Sequence, residues 1–303
     1  MSEPFAVSGT MPFRILLDEA IRLARQHALA ILPTVAVPVA VLSAILGGLQ
    51  VWMIGDPSKM ADPRRALASS CGLLLVAMVF VLFMLIAYTA MQVAALDATA
   101  GRPVDMGRAW RTAARPGMLG TLILQGLAVF ASALACLFPM FYVFPLLSFS
   151  VPAAAEEGLF GTRALARSAN LTQHNPQRNF WSTPLVKVLV LWVIGTALSY
   201  AVSILISLPL GVLVGFDALR KGAAGQEPDL TAWIWPQVGT NFVSGLVTTA
   251  VYLFFVFGTA LLFFDTRNRR EGTDLAAAVD AMTALPMPPT PPPPAPPSWD
   301  APR

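Results

Sequence analysis

Residues 116–155 read PGMLGTLILQGLAVFASALACLFPMFYVFPLLSFSVPAAA, 40 positions without an ionisable side chain between Arg115 and Glu156. A helix needs about 20 apolar residues to cross a hydrocarbon core. The stretch therefore holds either one crossing plus a buried re-entrant piece, or two short crossings that turn near Pro139. The choice sets the side on which every later segment lies.

Four other uncharged gaps accompany it. They hold 28 residues between His27 and Asp56, 31 between Arg65 and Asp97, 29 between Lys187 and Asp217, and 35 between Asp229 and Asp265. Each is long enough for one tilted crossing. Charge then decides the 40-residue gap, because short cytoplasmic loops carry the excess of Lys and Arg. With two crossings in the gap, 14 basic residues fall on one side and five on the other; with one, the split is nine against ten. The expected fold is all-α: a polytopic membrane helical bundle of six transmembrane helices with amphipathic cytoplasmic surface helices and both termini in the cytoplasm. The expected spans are about 28–54, 67–96, 117–137, 140–155, 184–214 and 236–264.

Composition agrees. Of 303 residues, 56% are hydrophobic and 12% charged, about half the charge of a soluble domain. That excludes an ordinary soluble enzyme and a disordered regulator. The net charge of +3 is too small and scattered for a nucleic-acid footprint. Cys71 and Cys136 both sit in apolar runs without metal-ligand spacing. Residues 1–10 have no basic start and no cleavage site, so they are expected to be a flexible N-terminus rather than a removable signal. Trp52, Trp181, Trp233 and Trp235 fall at span ends, where amphipathic rings favour the headgroup layer.

The cytoplasmic segments are patterned. Phe13–His27, FRILLDEAIRLARQH, puts apolar residues at helical spacing opposite Arg14, Asp18, Arg22 and Arg25. It reads as an amphipathic helix at the membrane surface leading into the first span. Basic segments return at 104–118, where Arg108, Arg111 and Arg115 share a face by i, i+3, i+7 spacing, and at 158–170, with Arg163 and Arg167 at i, i+4. The three read as a weak threefold repeat of a basic surface helix followed by two spans. At 263–282 Asp265 and Arg269 stand at i, i+4, and Gly272 is placed to end the helix. The membrane domain is thus expected over 11–276. Nine of the twelve residues 286–297 are proline, so 277–303 is expected to be a disordered tail.

Three stretches, FRILLDEAIRLARQHALAILP at 13–33, VPAAAEEGLFGTRALARSANLTQHN at 151–175 and FFDTRNRREGTDL at 263–275, resemble a bacterial six-span family. That family is similar to the membrane domain of glycerophosphoryl diester phosphodiesterases and includes stand-alone members. The resemblance covers most of 11–276 and implies a bacterial inner membrane. Its strongest element is the closing motif of Asp265, Arg267, Arg269, Glu271, Gly272 and Asp274. The chain departs from it in a longer insert at 172–178 and carries no catalytic barrel, so phosphodiesterase activity is not implied.

Catalysis by metal or by acid and base needs clustered His and carboxylates. The chain has only His27 and His174, far apart, and neither a phosphate loop nor a serine elbow. No catalytic residue, no metal and no cofactor are therefore expected, and a lipid-modifying activity survives only on a lone Glu156 or Glu157. The candidates for holding lipid or a partner are Arg108, Arg111, Arg115, Arg163, Arg167, Asp265, Arg267 and Arg269, since basic groups at the inner leaflet attract anionic headgroups. The intramembrane polar candidates are Gln92, Gln125 and Asn241, with Glu156 and Glu157 at the inner edge. The expectation is a non-enzymatic accessory or scaffold that binds membrane lipid, a membrane-protein partner or a second copy of itself. The alternative is a small-solute transporter or channel with a path near the polar residues of the second, third and sixth spans. A water-accessible cavity lined by Gln92, Gln125 or Asn241 would support the alternative, and a bundle interior packed with Leu, Val and Phe would remove it.

Overall fold

The computed structural model describes residues 12–54, 63–135, 137–173, 183–223 and 234–272, and no strand occurs among them. By contact the chain divides into units 1–266 and 267–303. The helices are α1 (Phe13–Ile54), α2 (Pro63–Thr99), α3 (Met106–Ala113), α4 (Pro116–Ala135), α5 (Leu137–Leu147), α6 (Ser150–Glu157), α7 (Thr162–Thr172), α8 (Pro184–Ala223) and α9 (Ile234–Glu271). Five of them, α1, α2, α4, α8 and α9, are long and apolar enough to cross a membrane. The first half of α2 and the second half of α8 expose Leu74, Leu75, Met78, Leu205 and Leu213. Apolar surface of that extent belongs against lipid. The protein is an all-α membrane protein.

The expected fourth span is broken. α5 has 11 residues and α6 eight, about 16 and 12 Å at 1.5 Å per residue, so neither alone spans a core of about 30 Å. The break falls at Ser148 and Phe149, between Pro145 and Pro152. Each proline lacks an N–H to donate within a helix. Backbone groups freed inside a membrane need protein partners, and α7 supplies them. Phe149 N donates to Ser168 Oγ at 3.0 Å; Ser168 Oγ donates to Leu146 O at 2.7 Å, and Thr172 Oγ1 to the same oxygen at 3.0 Å. Ser168 and Thr172 are fully buried. The segment expected as a surface helix at 158–170 is therefore packed into the bundle, because its small hydroxyl face satisfies the break.

The first segment differs in the same way. Residues 13–27 are not a separate surface helix but the start of the 42-residue α1, with Leu16 and Ala20 fully buried in the core. Their apolar face finds protein rather than lipid. His27, in this helix, stacks on Phe257 of α9 (6.1 Å between ring centres). The segments at 13–27 and 158–170 thus have different settings, one opening a long helix and the other packed at a helix break.

Side-chain contacts fix the helix directions. α1 and α9 run antiparallel, with His27 at Phe257, Ala40 at Gly245 and Gly47 at Asn241. A Cβ on Gly245 would lie 2.9 Å from Ala40 Cα; small residues permit this approach. α8 and α9 also run antiparallel, with Leu191 at Gly258 and Gly195 at Phe255. The loop after α6 returns to the first turns of α4, where Gly161 N donates to Thr121 Oγ1 at 2.8 Å and Gly117 faces Phe160. The start of α4 and the end of α6 are therefore level.

Candidate functional site

The end of α2 builds the site. Gly101 has a φ of +71°, a left-handed conformation that favours glycine. Gly101 N bonds Ala98 O at 3.1 Å and Arg102 N bonds Asp97 O at 2.8 Å, the paired bonds of a Schellman helix end. This turn folds Arg102 back over Asp97, whose side chain is 1% exposed. Arg102 Nε donates to Asp97 Oδ1 at 2.8 Å. The same guanidinium forks onto Glu156 at the end of α6, Nη1 to Oε2 at 3.0 Å and Nη2 to Oε1. That hydrogen bonding raises the Arg102 pKa further above its ordinary value. Asp97 Oδ1 also pairs with Arg108, held there because Asp105 caps α3 by accepting from Arg108 N at 3.1 Å. Next to this network Arg167 forks onto Glu157, Nε at 2.8 Å and Nη2 at 3.1 Å.

The sequence candidates are thus divided. Arg108 and Arg167 are held by carboxylates inside the fold. Glu156 and Glu157 are each held in an arginine fork and offer no free carboxylate. Arg111 is exposed, and among the described residues its Nε donates to Gly107 O at 3.2 Å. Arg115 stands in the joint between α3 and α4, outside the helix that carries Arg108 and Arg111, so the expected common face is interrupted. Arg115 and Arg163 are exposed. In the last turn of α9 Arg267 Nε donates to Glu271 Oε2 at 3.3 Å, and Asp265 and Arg269 also have partners. Lys187, which borders one of the uncharged gaps, is buried in the first turn of α8, 6% exposed.

Compared with family models, curated proteins and solved structures, the chain matches none. Its geometry has to speak for itself.

Two intramembrane candidates converge. Gln92 and Gln125 line one cavity of about 420 Å³ between α2, α4, α5, α6 and α9, with Tyr88, Thr89 and Tyr252. Gln92 Nε2 donates to Tyr252 Oη at 3.3 Å, and Ser150 Oγ donates to Gln125 Oε1 at 2.7 Å. The rings of Tyr88 and Tyr252 lie 4.3 Å apart. Gln92 is five residues before Asp97 and Val151, another lining residue, five before Glu156. The Arg102 bridge between Asp97 and Glu156 thus lies about 7 Å further along both helices and ties their ends together. Asn241 is apart from this group, packed against Gly47.

Asp97 and Arg102 were missed as site residues. Asp97 served only as the border of an uncharged gap. The legible signal was the glycine four residues after it, which turns the chain back on the carboxylate.

Proposed function

We propose that the chain is a non-enzymatic multi-pass protein of a bacterial inner membrane, an accessory or scaffold that holds anionic lipid or a membrane-protein partner at its arginine-rich cytoplasmic end. In this reading it crosses the membrane six times with both termini in the cytoplasm. The broken pair α5–α6 is the fourth crossing, and α3 and α7 pack at the inner end. The level ends of α4 and α6 and the alternating helix directions support that count, as does the split of basic residues. The resemblance to stand-alone relatives of the phosphodiesterase membrane domain fits it.

The observation that carries the function is the exposure of Arg111, Arg115 and Arg163 at the end where Arg102, Arg108 and Arg167 are taken up by carboxylates. Three such residues at an anionic leaflet contribute about 1 kcal/mol each. The test is purification in mild detergent followed by native mass spectrometry with added phosphatidylglycerol or phosphatidylcholine. The wild-type chain should retain phosphatidylglycerol preferentially, and Arg111→Gln/Arg115→Gln/Arg163→Gln should lose the preference. A chain that emerges alone and lipid-free, or a triple variant with unchanged preference, counts against it.

One observation favours a second reading, a path for a small solute. The cavity brings Gln92 and Gln125 together inside the bundle. Solute flux in proteoliposomes that stops in Gln125→Leu would support this reading.

A further inference from the structure

The cavity shared by Gln92 and Gln125 contains an unfilled requirement. Gln92 Oε1 is buried and accepts no hydrogen bond among the described residues. Its amide nitrogen already uses Tyr252. Turning the amide round would satisfy the oxygen at Tyr252 and orphan the nitrogen instead. One end of this amide therefore lacks a protein partner in either orientation. In hydrocarbon surroundings such a group has no water to fall back on, so its partner is supplied from elsewhere.

The walls say what kind of partner. Among the described residues no carboxylate or cation lines the space; apart from the amides, tyrosines and Thr89 the lining is apolar, including Leu85, Leu122 and Phe144. Its volume of about 420 Å³ lies in the range of ligand sites. Gly126 and Phe130 line it from α4. Both are exposed, beside the exposed Leu127 and Leu134 of the same helix. The α4 side of the cavity is thus continuous with the apolar surface that faces lipid.

We propose that this cavity binds an uncharged, hydroxyl-bearing single-chain lipid taken up laterally from the bilayer. The hydroxyl answers the unpartnered end of the Gln92 amide, since a hydroxyl both donates and accepts. The hydrocarbon chain lies along Leu85, Leu122 and Phe144 and leaves past Phe130. A charged headgroup is disfavoured, because nothing in the lining would neutralise it. This deepens the second reading above by naming the ligand class, but it concerns binding alone. A failure of solute flux would leave it standing.

The experiment uses the full-length chain in detergent and two radiolabelled probes, 1-monooleoylglycerol and methyl oleate, which share the chain but differ in hydroxyl donors. Monooleoylglycerol should bind at least tenfold more tightly. Gln92→Leu should bring the two probes to equal affinity. Gly126→Leu should weaken monooleoylglycerol at least tenfold while the thermal midpoint holds, since a Cβ on Gly126 meets no atom within 4 Å and the larger side chain occupies the cavity. Equal affinity of the two probes for the wild-type chain, or undiminished binding in a folded Gly126→Leu variant, would overturn the proposal.

Discussion

Arg102→Ala should be among the most damaging single changes outside the apolar core. Its guanidinium makes three charge-assisted bonds, one to Asp97 at 2.8 Å and two to Glu156. Such bonds are worth roughly 1.5–3 kcal/mol when fully desolvated. The Arg102 side chain is 42% exposed, so solvent screening reduces each to about 1 kcal/mol. The expected loss is at least about 3 kcal/mol: Arg108 still pairs with Asp97, but Glu156, 12% exposed, loses its arginine. Arg102→Lys should recover less than half of it, since an ammonium cannot fork onto Glu156 while also reaching Asp97. A double-mutant cycle with Glu156→Ala should give a coupling of about 1–2 kcal/mol. The assay is unfolding in mixed micelles by titrated dodecyl sulfate, followed by circular dichroism. A loss below about 0.5 kcal/mol, no coupling to Glu156, or full rescue by lysine would refute the bridge as a structural tie between α2 and α6.

Gly245→Ala places a Cβ 2.9 Å from the Ala40 backbone and should cost about 1–3 kcal/mol by overpacking; Gly195→Ala, whose nearest neighbour would be 3.9 Å away, should be tolerated in the same unfolding assay. Ser168→Ala orphans the buried Phe149 N–H at the break between α5 and α6, which should cost about 1–3 kcal/mol. Thr172→Val should cost less, since Leu146 O keeps Ser168, and equal losses in the two variants would argue against the proposed satisfaction of the break.

The long helices were legible because ionisable residues are costly inside lipid, so the gaps between them mark the spans. The break at 148–149 was not, because Pro145 and Pro152 sit in a run whose apolarity stays continuous while its geometry does not. The setting of α7 depended on Ser168 and Thr172 meeting carbonyls some twenty residues earlier, and helical spacing carries no record of such a meeting. Arg108 was read with Arg111 by spacing alone; the Asp105 cap holds it against the buried Asp97 while its side chain stays half exposed. Gln92 and Gln125 were legible as intramembrane amides, and distance from the nearest charge gave their depth. Rotation about the helix axis, which brings these two together and leaves Asn241 on Gly47, is fixed by packing. Trp235 sits 80% exposed at the start of α9, in keeping with an interfacial ring. The Trp52 side chain, Trp181, Trp233, Cys136, His174 and the tail at 277–303 lie outside the described residues.

The account turns on α4 and the broken α5–α6 pair crossing outward and back. Single cysteines at Pro139 and at Thr162, in a chain with Cys71→Ser and Cys136→Ser, can be probed in intact cells with a membrane-impermeant maleimide. Pro139→Cys should be labelled from outside and Thr162→Cys only after the membrane is opened. Labelling of both positions from the same side would contradict it, and the inner-leaflet assignment of the arginines would go with it.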